Sequence, residues 1–413
     1  MDQKWNANDP SRRRFLHVAG WLGWMGALGS ARALNAAPAT LKLPFANGER
    51  ELTRAFAQKG EMILQRSRPP LLETPWDVFD QGVFTPNNRF FVRWHLADIP
   101  THIDVASFQL TVHGHIDKPL TLSLQQLMSE FEPVELAAVN QCSGNSRGLF
   151  LPRVAGGQWA NGAMGCARWT GVRLKDILDR AGVKPGAVQV RFNGLDSGLL
   201  PATPDFIKSL QIDHARDGEV MLAYGMNGEQ LPLLNGFPLR LVVPGWYSTY
   251  WIKMLNDIEV LDKADDNYWM AKAYLIPDTP HANVAPGQTG YKSVPINRMV
   301  PRSFFTNLRD GDRLLAGHRA QVRGIAFGGD TGVSKVLWSN DGGQHWGEAI
   351  LEQDYGKYSF RRWHAHYTPQ AKGENVLMVK AINSNGVEQP GTANWNPGGF
   401  MRNVIESVKV RVD

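Results

Sequence analysis

The densest run of reactive side chains is Val139-Asn140-Gln141-Cys142-Ser143-Gly144-Asn145-Ser146-Arg147-Gly148. A cysteine follows a short apolar run at 136–139 and enters a Gly/Ser/Asn turn, with an arginine five residues on. Turns of this kind aim backbone N–H groups at anions, and a nearby guanidinium lowers a thiol pKa. Such a thiolate serves as a nucleophile or a soft metal ligand. The same residues also fit a buried structural cysteine, or a disulfide with Cys166, the second of the chain's two cysteines.

Two further segments carry charge in apolar surroundings. Asn88-Arg89-Phe90-Phe91-Val92-Arg93-Trp94-His95 reads as one strand. It would place Phe91, Arg93 and His95 on one face and Phe90, Val92 and Trp94 on the other. Arg offers a rigid fork for an oxyanion and His a proton or hydrogen bond, although a solvated strand face explains the pattern too. In Gly236-Phe237-Pro238-Leu239-Arg240-Leu241-Val242-Val243, Arg240 sits in an apolar run, where its charge needs a partner such as an ion pair. The run leads through a Pro-Gly aromatic loop to Trp251-Ile252-Lys253. His113/His115 and His364/His366 are His-x-His pairs with no evident third ligand. There is no C-x-x-C-H, H-E-x-x-H, P-loop or strand-linked G-x-G-x-x-G motif, and two cysteines exclude a four-thiolate zinc or iron–sulfur site.

The elements that must position these residues fall into two regimes. Up to about residue 288, helix and strand mix. Residues 108–114, 188–192 and 239–243 read as strands, with a capped helix over 123–131 and a second over 174–181 stopped by Gly182. Long Gly/Pro/Asn-rich stretches at 143–165 and 193–205 read as functional loops. From about 289, strands at 320–327, 334–339, 361–367, 376–382 and 404–412 alternate with turns such as Asn340-Asp341-Gly342-Gly343. That pattern predicts an immunoglobulin-like β-sandwich. The expected fold is α+β: an address at 1–37, a catalytic domain at 38–288 and an all-β domain at 289–413.

The address is Ser11-Arg12-Arg13-Arg14-Phe15-Leu16, then the apolar stretch 18–28 and the small residues Ala31-Arg32-Ala33. A basic region, a short apolar region and an A-x-A site make a secretory signal, here of twin-arginine type, which implies a periplasmic protein. Removing 1–37 takes away five basic and two acidic side chains, so the net charge of +5 over 413 residues falls to +2. Neither value is a nucleic-acid signature, and no other stretch reaches transmembrane length.

The Arg93-x-His95 strand, the Cys142-to-Arg147 turn, Gln158-Trp159 with Ala167-Arg168-Trp169-Thr170-Gly171-Val172, Gly194-Leu195-Asp196 and the 236–253 run resemble the sulfite oxidase family of molybdenum enzymes, in order and at similar spacing. The likeness runs from about residue 60 to the end and is strongest to bacterial periplasmic sulfite dehydrogenases. The resemblance implies one molybdenum–molybdopterin per chain, with Cys142 as the protein thiolate on the metal; a Cys142–Cys166 disulfide then drops out. It implies that Arg93, His95, Arg147, Trp159 and Tyr274 form the substrate pocket. Backbone at Phe91, Val92, Arg93, Trp94 and His95, together with Asp196, Asn235, Arg240 and Trp251-Ile252-Lys253, would hold the pterin and its phosphate. Asn235 stands where vertebrate members carry histidine. Implied too are sulfite as substrate, no haem in this chain, a separate c-type cytochrome as acceptor and a homodimer formed through the C-terminal domain. The alternatives are a sulfane dehydrogenase subunit of a thiosulfate-oxidising complex and a non-catalytic protein that keeps the fold.

Overall fold

The element that carries Cys142 is the strand Pro133–Gln141, antiparallel to Met164–Arg173 with Gln141 opposite Met164. It is longer than the apolar run suggested, and its last four residues are buried, so the strand delivers Cys142 into the interior. Met221–Met226 continues the sheet, and Arg240–Val242 pairs with Met221–Met226, which brings Arg240 into the same layer. At Gly165 the ring of Phe90 packs so close that a Cβ would lie 2.5 Å from it, so the approach requires glycine.

A second sheet runs in the order Lys208–Gln211, Gln189–Gly194, Leu255–Leu261, Gln109–Gly114, Leu120–Ser123. Leu255–Leu261 and Gln109–Gly114 pair in parallel, while the other neighbours are antiparallel. The helix Leu124–Glu130 starts with a capping box between Ser123 and Gln126. Leu174–Ala181 ends at Gly182, whose φ of 71° accounts for the stop there. Leu127, Ile177 and Leu178 join the main core with Leu110, Val190 and Val260. Helix is a minor component: the four α-helices among the described residues span four to eight residues each.

The 88–95 segment departs from expectation. Asn87–Arg89 is a 3-10 turn and only Val92–Arg93 is strand, paired with Leu71–Glu73. The predicted alternation holds from Phe91 to His95. Val92 and Trp94 pack with Met62, Leu72 and Met254, whereas Phe90 leaves that face and stacks on Phe91 and against Trp169. The turn at 87–89 breaks the two-residue period before Phe90.

The C-terminal region consists of two sheets. Arg302–Phe305, Ala320–Phe327, Arg361–Tyr367 and Ile350–Leu351 form one; Arg313–Leu314, Glu406–Val412, Gly373–Asn383, Val333–Ser339 and Gly347–Glu348 form the other. Val322, Trp363 and Ala365 from the first meet Val336, Leu377, Val379 and Val408 from the second in one core. Another core joins Trp76, Phe79, Val139 and Cys166 to Phe304, Ile325, Phe327 and Phe360, and Leu275–Pro277 pairs with Ser293–Pro295 across residue 288. The structure is a computed structural model that describes residues 40–42 and 49–413; the expected export address lies outside them. No helix among the described residues is long and apolar enough to cross a membrane.

Candidate functional site

Cys142 is 5% exposed and closes its own turn: its N–H donates to Ala163 O at 2.9 Å, and its carbonyl accepts from Asn145 N at 2.9 Å. Asn145 locks the loop from the other side, with Oδ1 accepting from Ala163 N at 3.0 Å. Ser146 takes a left-handed conformation (φ 66°) just before the 3-10 turn Arg147–Leu149; its hydroxyl bonds to Asn161 and accepts from buried Arg302 at 3.1 Å. Arg147 Nε donates to Gly398 O at 3.0 Å and Nη1 to Gly157 O at 3.3 Å, and its guanidinium lies 5.1 Å over the ring of Phe400. Burial lowers the Arg147 pKa, opposed by Cys142 and Tyr274.

Two openings meet at this cysteine. The inner one is lined by Phe91, Arg93, His95, Asn140, Ser143, Asn235, Arg240, Trp251 and Lys253 among others, with no carboxylate among the described residues. The outer one is lined by Arg50, Arg66, Leu71, Arg147 and Trp159 among others, again with no carboxylate among the described residues. Cys142, Arg93 and Tyr274 line both. Around the inner cavity Arg93 Nη1, His95 Nδ1, Asn140 Nδ2, Ser143 Oγ and Arg240 Nε are buried and have no hydrogen-bond partner among the described residues. Buried polar groups are nearly always paired, so this concentration points to a polar, anionic occupant.

Tyr274 (φ 54°) reaches His95, its hydroxyl bonded to Nε2. His95 stacks on Phe206 with ring centroids 3.5 Å apart. Burial drives the His95 pKa well below its ordinary value, helped by Arg93, Lys253, Lys208 and Arg66, so the imidazole is neutral. Burial raises the Tyr274 pKa, so the phenol keeps its proton. Tyr274 also stacks on Phe400, 5.4 Å between centroids, which brings the C-terminal region to the site.

Arg240 finds no ion pair among the described residues. Nη1 donates to Asn235 O at 2.7 Å, and its guanidinium lies 4.8 Å over Trp169; burial pulls its pKa down to about 9. Asn235 is committed on both ends of its amide: Oδ1 accepts from Lys59 and Nδ2 donates to Phe91 O at 3.0 Å. Lys59, which carries no motif in the sequence, is buried, also donates to Asn87 O and Phe90 O at 2.9 Å, and has its pKa lowered to about 7 by burial and then Arg240. Lys253 lies 4.2 Å over Trp94. It faces Asp196 electrostatically: burial lowers the lysine pKa and raises the aspartate's, and each opposes the other's shift.

Asp196, Val92, Trp94 and Ile252 stand outside the inner cavity lining, and the side chains of the last three pack in the cores. Trp159, 1% exposed, lines the outer opening alone. Phe206, Lys59, Arg50, Arg66 and Phe400 were not singled out in the sequence; an arginine or lysine between polar neighbours carries no sign of burial. Cys166 lies away from Cys142 in the shared core, free and buried, 3.5 Å from Ser359 Oγ, with burial pushing its pKa up to about 11. His113 pairs with Asp257 at 2.9 Å, and no cluster of three metal-ligating side chains occurs among the described residues.

Comparison with known proteins matches that geometry. The profile of the oxidoreductase molybdopterin binding domain covers residues 96–269, and that of the Mo-co oxidoreductase dimerisation domain covers 294–413. Chicken sulfite oxidase is 31% identical over 351 residues, covering 81% of this chain and 74% of that protein. The chain belongs to the sulfite oxidase family of molybdenum enzymes. Rat mitochondrial sulfite oxidase is 33% identical over 371 residues; the alignment takes in 84% of this chain and spans 65% of that relative's length. The fold is shared with the sulfane dehydrogenase SoxCD from Paracoccus pantotrophus, at TM-score 0.73 and 23% identity over 88% of each chain. The chemistry of the inner cavity's lining, with unpartnered donors and cations without carboxylates, suits molybdopterin.

Proposed function

We propose that this protein oxidises sulfite to sulfate in the periplasm and passes the electrons singly to a separate c-type cytochrome. The observation that carries the reading is the junction: Cys142, Arg93 and Tyr274 stand where a cation-lined cavity of unpartnered donors meets an arginine-lined opening to the outside. Arg240, Lys253 and backbone around 91–95 and 251–253 would hold the pterin end of the cofactor, and the Cys142 thiolate its metal. The bound group supplies the two-electron redox change and the oxygen transfer. The chain's own residues do the rest. Arg93 and Arg147 bind the oxyanion by charge and forked hydrogen bonds. Tyr274, held by neutral His95, offers a hydroxyl beside the cysteine, and Trp159 closes the wall. Overall, sulfite and water give sulfate, two protons and two electrons. The C-terminal sheets fit an immunoglobulin-like sandwich that pairs two chains, and the address at 1–37 fits twin-arginine export.

The test is molybdenum and pterin analysis of the purified protein together with sulfite-driven cytochrome c reduction. A molybdenum-replete protein that reduces cytochrome c with no dependence on sulfite would overturn the reading and favour a sulfane substrate. A metal-free, pterin-free protein from a competent host would favour a non-catalytic role.

A further inference from the structure

The four arginines of the outer opening are not equivalent. Arg93 and Arg147 are half-buried and line it together with buried Cys142. Arg50 is restrained: Nη2 donates to Gln158 O at 3.1 Å and Nη1 to Gln65 Oε1 at 3.3 Å, while Gln65 Nε2 donates to buried Glu73 at 2.7 Å. Burial raises the Glu73 pKa, and Arg50 is among the groups that oppose that shift. Arg66 is solvent-exposed, its Nε donates to Pro69 O at 3.1 Å, and it forms no ion pair among the described residues.

The backbone places Arg66 deliberately. Pairing between Met62–Arg66 and Leu71–Glu73 runs Ile63 to Glu73 and Leu64 to Leu72, then skips one residue so that Arg66 faces Leu71. Leu71 in turn faces Arg93 on the next strand. The bulge therefore sets Arg66, Leu71 and Arg93 in one cross-strand row, and all three line the outer opening. Arg93 lowers the Arg66 pKa after burial, and Arg66 adds to the depression at His95, so Arg66, Arg93 and His95 share one field. Like charges this close repel, and a doubly charged anion between them relieves that repulsion.

We propose that Arg66 is an outer anion station: it captures a divalent sulfur oxyanion at the mouth, passes it along the row to Arg93, and holds the product dianion as it leaves. This rests on the sulfite reading above. The test uses holoenzyme carrying Arg66→Gln or Arg66→Lys. At low ionic strength, Arg66→Gln is expected to raise KM for sulfite and the inhibition constant of sulfate about threefold to tenfold at unchanged kcat. The difference should fade at roughly 0.5 M salt, and Arg66→Lys should retain most of the wild-type behaviour. Unchanged constants at low salt, or a change that persists at high salt, would overturn the proposal. Calorimetric titration of sulfate into the holoenzyme separates this from the functional reading. Wild-type protein that binds sulfate but turns over no sulfite refutes the function alone. Equal sulfate affinity in wild type and Arg66→Gln refutes the station.

Discussion

Gly144→Ala tests how the cysteine turn holds Arg147. A Cβ built at Gly144 would lie 2.5 Å from Arg147 Cζ, and ordinary contact begins near 3.4 Å, so the guanidinium must retreat by about 1 Å. An arginine tip usually yields cheaply, but this one is pinned by Gly398 O at 3.0 Å and Gly157 O at 3.3 Å and is largely buried. A retreat of that size breaks at least one of these bonds, each worth about 1.5–3 kcal/mol for a charged donor. If half to all of one bond is lost from anion binding, KM for sulfite rises roughly threefold to hundredfold. The assay is steady-state sulfite oxidation by Gly144→Ala, Arg147→Gln and the double variant, each matched for molybdenum content. Because both changes act through one side chain, the double variant should be no worse than Arg147→Gln alone. A Gly144→Ala enzyme with wild-type KM, or a double variant whose defects simply add, would refute the reasoning.

Cys142→Ser should abolish sulfite-dependent cytochrome c reduction, since a hydroxyl is a poor soft-metal ligand; pterin content measured after denaturation shows whether the cofactor still enters. Arg93→Gln should chiefly raise KM by removing ground-state anion binding, read from the separate kcat and KM values. Phe400→Ala removes a buried ring that stacks on Tyr274 and lies under Arg147; it should cost about 3–5 kcal/mol of stability by chemical denaturation and lower activity as well. For Lys59 the folded pKa of about 7 lies below the unfolded 10.5, so the unfolded chain binds the extra proton between those values. Stability of the cofactor-free protein should therefore rise with pH from 7 towards 9, and Lys59→Met should flatten that slope in thermal melts.

The cysteine turn was legible because its residue types are rare together: one thiol, small flexible neighbours and a guanidinium at fixed spacing. Leu174–Ala181 was legible because its apolar spacing and the left-handed Gly182 agree. The 88–95 segment was half legible; alternation cannot reveal that the chain turns at 87–89 before it pairs. Arg240 was correctly read as a charge in need of company, but its company is a carbonyl and indole rings, which no spacing rule announces. Lys59 and Phe400 were invisible for a different reason. Their importance comes from what lies against them after folding, namely Asn235 for one and Tyr274 for the other.

The two cysteines differ in a way that is useful at the bench. Cys166 is sealed in the core and keeps its proton up to about pH 11, while Cys142 opens onto both cavities. To an alkylating reagent under native conditions, the folded chain is therefore a single-thiol protein. On the proposed function, a metal held by Cys142 would take that one thiol out of reach. The fraction of native chains that accept a label then counts vacant centres directly, and a preparation can be graded for cofactor loading by intact-mass measurement without running the reaction at all.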